Sequence, residues 1–187
     1  MKKLLVIAVL AAVALAAGAE RADSLKQAEI KYDSLDVDNV TLDRILTGDV
    51  VITRGTLMLK SDKAVLKESP DGYIHVTLTG GDKKVATFRQ KRDGGADLWI
   101  EGQSEKIEYD EKGELVKLIG AARVKELDGA KVMSQIESAF ISYDSRKEIM
   151  VARNDASGAN KPGKGRGTLI IAPRQSAPAP VPAQGKQ

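Results

Sequence analysis

Three groups of residues have the types and spacing from which a chemical site could be built. Gly158-Ala-Asn-Lys-Pro-Gly163-Lys164 meets the G-x-x-x-x-G-K part of a phosphate-binding loop, in which backbone N–H groups cradle phosphates and the lysine reaches the outer ones. Gly165 stands where a Ser or Thr must meet magnesium, Pro162 sits within the loop and no helical pattern follows. The stretch therefore reads as a basic, glycine-rich loop. Asp36 and Asp38 share a face at strand spacing and could form the carboxylate pair of a glycoside hydrolase or a calcium site. Acids at strand ends more often serve solubility. His75 lies between Ile74 and Val76 and points away from both, and spacing supplies it neither an orienting acid nor a nucleophile.

Composition narrows the chemistry further. The 187 residues include no Cys and one His, which removes disulfides, thiol nucleophiles, iron-sulfur clusters and zinc sites built on Cys or several His. Neither a metal nor another cofactor is expected. One Trp, four Tyr and two Phe are a poor supply of stacking platforms, so nucleic acid is not an expected partner.

The elements that must position any site are strands. From Ile30 to about Ala172 apolar residues alternate with polar ones: Val50 with Ile52, Leu57 with Leu59, Ile74 with Val76 and Leu78, Ala86 with Phe88. Ile107 with Tyr109, Ile141 with Tyr143, Ile149 with Val151 and Leu169 with Ile171 continue the pattern. Turn residues punctuate it at Thr53–Gly55, Ser69–Gly72, Gly80–Asp82, Arg92–Gly95, Asp110–Gly113 and Asp128-Gly129. About ten residues per strand and turn predicts an all-β sandwich, roll or barrel. Lys106-Ile-Glu-Tyr-Asp110 recurs as Phe140-Ile-Ser-Tyr-Asp144, and Leu118-Ile-Gly-Ala-Ala-Arg-Val124 echoes Leu46-Thr-Gly-Asp-Val50. The spacings are unequal, which disfavours a regular solenoid. A roll of stacked antiparallel hairpins lined with aliphatic residues fits better, and whether its interior is filled or open is not set by periodicity.

The ends of the chain read differently. Lys2 and Lys3, an apolar run from Leu4 to Ala17 and the small residues Ala17-Gly18-Ala19 form a secretory signal peptide, residues 1–19, with cleavage expected after Ala19. The run falls short of the ~20 apolar residues of a spanning helix. The mature chain is expected in the periplasm as one domain over residues 20–174. After Asp155 come only basic charges, Lys161, Lys164, Arg166, Arg174 and Lys186, and residues 175–187 are rich in Pro and Ala, the composition of an extended, disordered tail.

Three blocks in order carry a resemblance: Ile30-Lys-Tyr-Asp33, the run from Leu46 to Lys63 with its T-G-x-V-x-I-x-x-G-T core, and Gly102-Gln-Ser-Glu-Lys-Ile-Glu-Tyr-Asp110. Lys84-Val-Ala-Thr-Phe88 adds a fourth. From about Ala28 to Arg174 the chain resembles the OstA-like family of periplasmic lipopolysaccharide-transport proteins. It departs from the family pattern at Asp49, where Asn is common, and in the long glycine-rich segment from Ser157 to Gly167.

The resemblance implies a twisted β-jellyroll of stacked antiparallel strands with an apolar interior groove. It implies lipopolysaccharide as ligand, with lipid-facing positions carried over onto Ile30, Leu59, Phe88, Tyr109 and Ile141. It further implies a bridge made by stacking the protein head-to-tail on itself and on LptC-like inner-membrane and LptD-like outer-membrane jellyroll domains, without catalysis. Thr168, Leu169, Ile170 and Ile171, apolar on both faces and free of charge and proline, are the expected oligomer edge, opposite a first edge near Ile30. Two alternatives stay open: a secreted polysaccharide-active enzyme on a β-roll, resting on Asp36 and Asp38, and the membrane-tethered partner of the same transport pathway.

Overall fold

The computed structural model describes residues 23, 25–81 and 84–173; the expected signal peptide and the proline-rich tail lie outside the described residues. Strands follow one another as β1 (Ala28–Lys31), β2 (Ser34–Asp38), β3 (Asp43–Arg54), β4 (Leu57–Glu68), β5 (Ile74–Thr79) and β6 (Ala86–Lys91). They continue as β7 (Leu98–Ser104), β8 (Lys106–Asp110), β9 (Leu115–Asp128), β10 (Lys131–Asp144), β11 (Ile149–Arg153) and β12 (Thr168–Ile171). All pairings are antiparallel.

The register divides this sheet into two leaves. β1 pairs with the end of β3, whose partner, the start of β4, pairs with β6; β6 then leads through β7 to the second half of β9, the first half of β10 and β12. The second leaf runs from β2 through the start of β3, the end of β4, β5, β8, the first half of β9 and the second half of β10 to β11. The long strands β3, β4, β9 and β10, of 12 or 14 residues, cross from one leaf to the other. The ten-residue unit expected from the sequence is too short for these four.

Two matching bulges make the crossing. Gly48 and Asp49 together oppose the single residue Asp62, with φ of 82° and 40°. Gly120 and Ala121 oppose Ala139, with φ of 79° and 43°. An extra residue on one strand bends the ladder and sharpens its twist, and the left-handed backbone it needs favours glycine at the first position. On the partner strands Ser61 Oγ donates to the Lys63 carbonyl at 2.8 Å, and Ser104 Oγ to the Lys106 carbonyl at 2.7 Å. The Leu46–Val50 and Leu118–Val124 echo in the sequence is thus a repeated corner.

Folded at these corners, the leaves press their apolar faces together. Val50, Leu59, Phe88, Ile100 and Val124 come from the first leaf, and Leu66, Leu78, Ile107, Leu118 and Ile141 from the second. Strand alternation supplies the wet outer face, where Arg89 stacks over Trp99 at 4.3 Å. Near the start, buried Asp23 accepts from the backbone N–H of Thr56 at 2.8 Å and of Leu57 at 3.1 Å, tying down the β3–β4 turn.

The expected edges, β1 and β12, both belong to the first leaf, and β2 and β11 are the separate edges of the second. On β11 the residues packed against the core are Met150 and Ala152, while Ile149, grouped with Val151 by alternation, is 52% exposed. Alternation pairs residues but does not say which set faces inward.

Candidate functional site

The interior between the leaves is largely apolar and, in its middle, full. Leu59, Phe88 and Ile141 are buried, and Leu59 and Phe88 are cross-strand partners. Ile30 and Tyr109 are half-buried and pack against this core from the amino-terminal side. All five carried-over positions therefore line the one apolar space between the leaves. Apolar area removed from water contributes about 25 cal/mol per Å², and this burial is the main attraction between the leaves.

The space ends in two mouths. At the amino-terminal end a narrow cleft of ≈ 40 Å³ opens between β1, β3 and β4 on one side and β5 and β8 on the other; Ile30, Ile52, Ile74, Val76 and Tyr109 line it. At the carboxy-terminal end a wider groove of ≈ 660 Å³ lies between β10, β11 and β12, lined by Met133, Ile136, Met150, Leu169 and Ile171. Ile136 and Met150 escaped the sequence reading. The alternation along β10 changes phase at the Ala139 corner, so Ile136 and Ile141 face the same interior at an odd spacing.

Thr168 to Ile171 form β12, which pairs with Ser134–Glu137 of β10 on one side; among the described residues no strand pairs with its other side. Leu169, Ile170 and Ile171 are exposed by 59%, 54% and 70%. This is the sticky edge that a soluble protein ordinarily covers or charges.

Along the open side, away from the corners, charged residues close the gap. Arg54, the last residue of β3, forms an ion pair with Glu111, just after β8, so the contact spans the two leaves. Glu111 also accepts from the backbone N–H of Ile74 at 2.7 Å. Burial beside this pair pushes the Tyr109 phenol up to about 12, with Arg54 acting in the opposite direction. Arg92, following β6, reaches Glu126 at 2.9 Å on its own leaf and Glu148 at 3.8 Å on the other.

The other chemical candidates do not assemble. Asp38 accepts from the N–H groups of Val40 and Thr41 at 2.7 and 3.1 Å, bonds that lower its carboxyl below the ordinary range; it caps a turn. Asp36 lies opposite Ile45 on the exposed strand β2. His75 is on the outer face, 3.6 Å from Asp110. In the glycine-rich loop Asp155 holds Lys161 at 2.9 Å and Lys164 at 3.9 Å, while Asn154 brackets the Lys161 backbone with two bonds of 2.9 Å. Lys161 and Lys164 are thus held within the loop. Among the described residues no group of three His, Cys, Asp or Glu could hold a metal ion.

Comparison with known proteins agrees with this geometry. Residues 29–171 match the family model described as "LptA/(LptD N-terminal domain) LPS transport protein". The chain belongs to this family. It is 29% identical over 143 residues to the lipopolysaccharide export system protein LptA of Haemophilus influenzae, spanning 74% of this chain and 75% of that one. To LptA of Escherichia coli K12 it is 31% identical over 129 residues, 69% of this chain and 62% of the relative. The crystal structure of LptH from Pseudomonas aeruginosa, described as the LptA-homologous periplasmic component of the lipopolysaccharide transport device, superposes with a TM-score of 0.69 at 24% identity. That match covers 81% of this chain and 99% of LptH and shows a shared fold.

For this LptA/LptD-type domain the Thr47–Lys63 block now has a physical reason. Its Gly48 makes the bulge, its Ser61 closes the opposing strand, and its alternating Val50, Ile52, Leu57 and Leu59 supply the interior. The motif encodes one corner and the apolar face beside it.

Proposed function

We propose that this protein binds the acyl chains of lipopolysaccharide between its leaves and passes the lipid across the periplasm toward the outer membrane, without chemistry of its own. The observation that carries the proposal is an apolar interior opening at both ends beside edge strands whose outer sides pair with no strand among the described residues. Each buried CH₂ contributes ~0.8 kcal/mol, so several partly inserted chains offset the cost of docking a large amphiphile. Ile30 and Tyr109 would meet a chain at the amino-terminal mouth. Contact with Leu59, Phe88 and Ile141 requires the leaves to part, for which the corners serve as hinges.

The edges support a bridge. β1 and β12 have four residues each, and β2 and β11 five each, so each leaf begins and ends in strands of equal length. Strand addition at both leaves would extend the groove from one copy to the next, head-to-tail. LptC-like and LptD-like jellyroll domains would add at the two ends of the series. Depletion of the protein should stop lipopolysaccharide from reaching the cell surface; normal delivery in depleted cells would refute the transport role.

A further inference from the structure

Arg54 and Arg92 share an unusual feature. Among the buried side-chain nitrogens and oxygens of the described residues, only their Nε atoms have no hydrogen-bond partner. The same two arginines make the ion pairs that join the leaves across the open side, Arg54 to Glu111 and Arg92 to Glu148. Both sit where the strands end farthest from the corners, with Arg54 beside the apolar cleft. A buried unpaired donor costs about 1–3 kcal/mol, so each guanidinium is incompletely satisfied by its carboxylates. The guanidinium fork suits an anion that can meet Nε and Nη together, and a phosphate offers more acceptor oxygens and more charge than one carboxylate.

The geometry points to Arg54 and Arg92 as a latent anion site that pairs with Glu111 and Glu148 in the empty protein and takes the phosphate groups of the bound amphiphile when the leaves part. This rests on the proposed lipid-binding interior and adds a second recognition element to it. Acyl chains separating the leaves would pull Glu111 and Glu148 away from the arginines. The headgroup, held at the open side by the buried chains, would replace the lost carboxylates. Binding would then require both ends of the amphiphile, which discriminates against uncharged lipids.

Equilibrium binding of fluorescent lipopolysaccharide, and of the same material stripped of phosphate, to the mature protein tests this. Wild type should bind the phosphorylated form about tenfold or more tightly than the stripped form, and the R54Q/R92Q double variant should bind the two alike. The E111Q/E148Q variant moves the balance the other way: it removes the cross-leaf carboxylates, leaving Arg54 without Glu111 and Arg92 with Glu126 alone, and should strengthen binding of the phosphorylated form alone. These opposed shifts separate anion recognition from a general loss of folding. If R54Q/R92Q discriminates as wild type does, or E111Q/E148Q weakens binding of the phosphorylated form, the anion site is refuted while the apolar interior stands. If wild type binds neither form, the lipid-binding reading falls and this inference with it.

Discussion

The ring of Phe88 lies over Gly102, its cross-strand partner: a Cβ on Gly102 would stand 2.5 Å from Cε1 of that ring and 2.6 Å from Cδ2 of Leu118. The missing side chain on β7 makes the space that Phe88 fills. Phe88 from one leaf and Leu118 from the other meet over it, so this point is where the middle of the interior is closed.

Replacing Gly102 by Ala should therefore overpack the centre. Either the ring or the facing leaf must move, at a cost of about 1–3 kcal/mol. Urea unfolding should show a lower midpoint with an unchanged slope. A variant as stable as wild type would mean that the leaves yield freely at this point.

Tyr109 should make stability depend on alkaline pH. Its phenol is raised from an ordinary value of 10.0 to about 12, first by burial, so folding favours the neutral form. The contribution is intact below pH 10 and is lost as pH rises toward 12, in total roughly 2–3 kcal/mol. Urea midpoints of wild type should fall more steeply across that interval than those of Tyr109→Phe. Parallel declines would mean that the phenol ionises as readily in the folded protein as in the unfolded chain.

A photo-crosslinking residue at Phe88 or Tyr109 should capture lipid in cells, whereas one at Arg89 or Glu108 should not. Arg89 pairs with Glu101 at 2.5 Å and Glu108 with Lys106 at 2.7 Å, both on the outer face. Labelling only from the outer pair would place the lipid path outside the leaves.

Assembly should depend on β12. Mature protein should form concentration-dependent, reversible oligomers in the ultracentrifuge, because a four-residue strand makes a weak contact. Truncation before Thr168, or a Lys in place of Ile170, should reduce them. A full-length protein that stays monomeric at high concentration, or a truncated one that associates equally well, rules out the β12 contact.

Local chemistry along the chain was enough to settle which residues share a face, where the turns fall and which family the blocks belong to. Side chains on a strand alternate by geometry alone, so Ile107 and Tyr109 had to lie together, and Trp99 had to oppose Leu98 and Ile100. The tertiary structure decided what those faces meet. Only folding at the Gly48 and Gly120 corners turns one sheet into two opposed leaves, and each bulge shifts the alternation between a strand and its partner. That shift hid Ile136, and the orientation of β11 hid Met150. Arg54 and Glu111 are far apart in the chain, and no local pattern links them; they meet because β3 and β8 end on opposite leaves at the same open side. Whether the interior is full was likewise a matter of volume, decided when Phe88 found the space above Gly102.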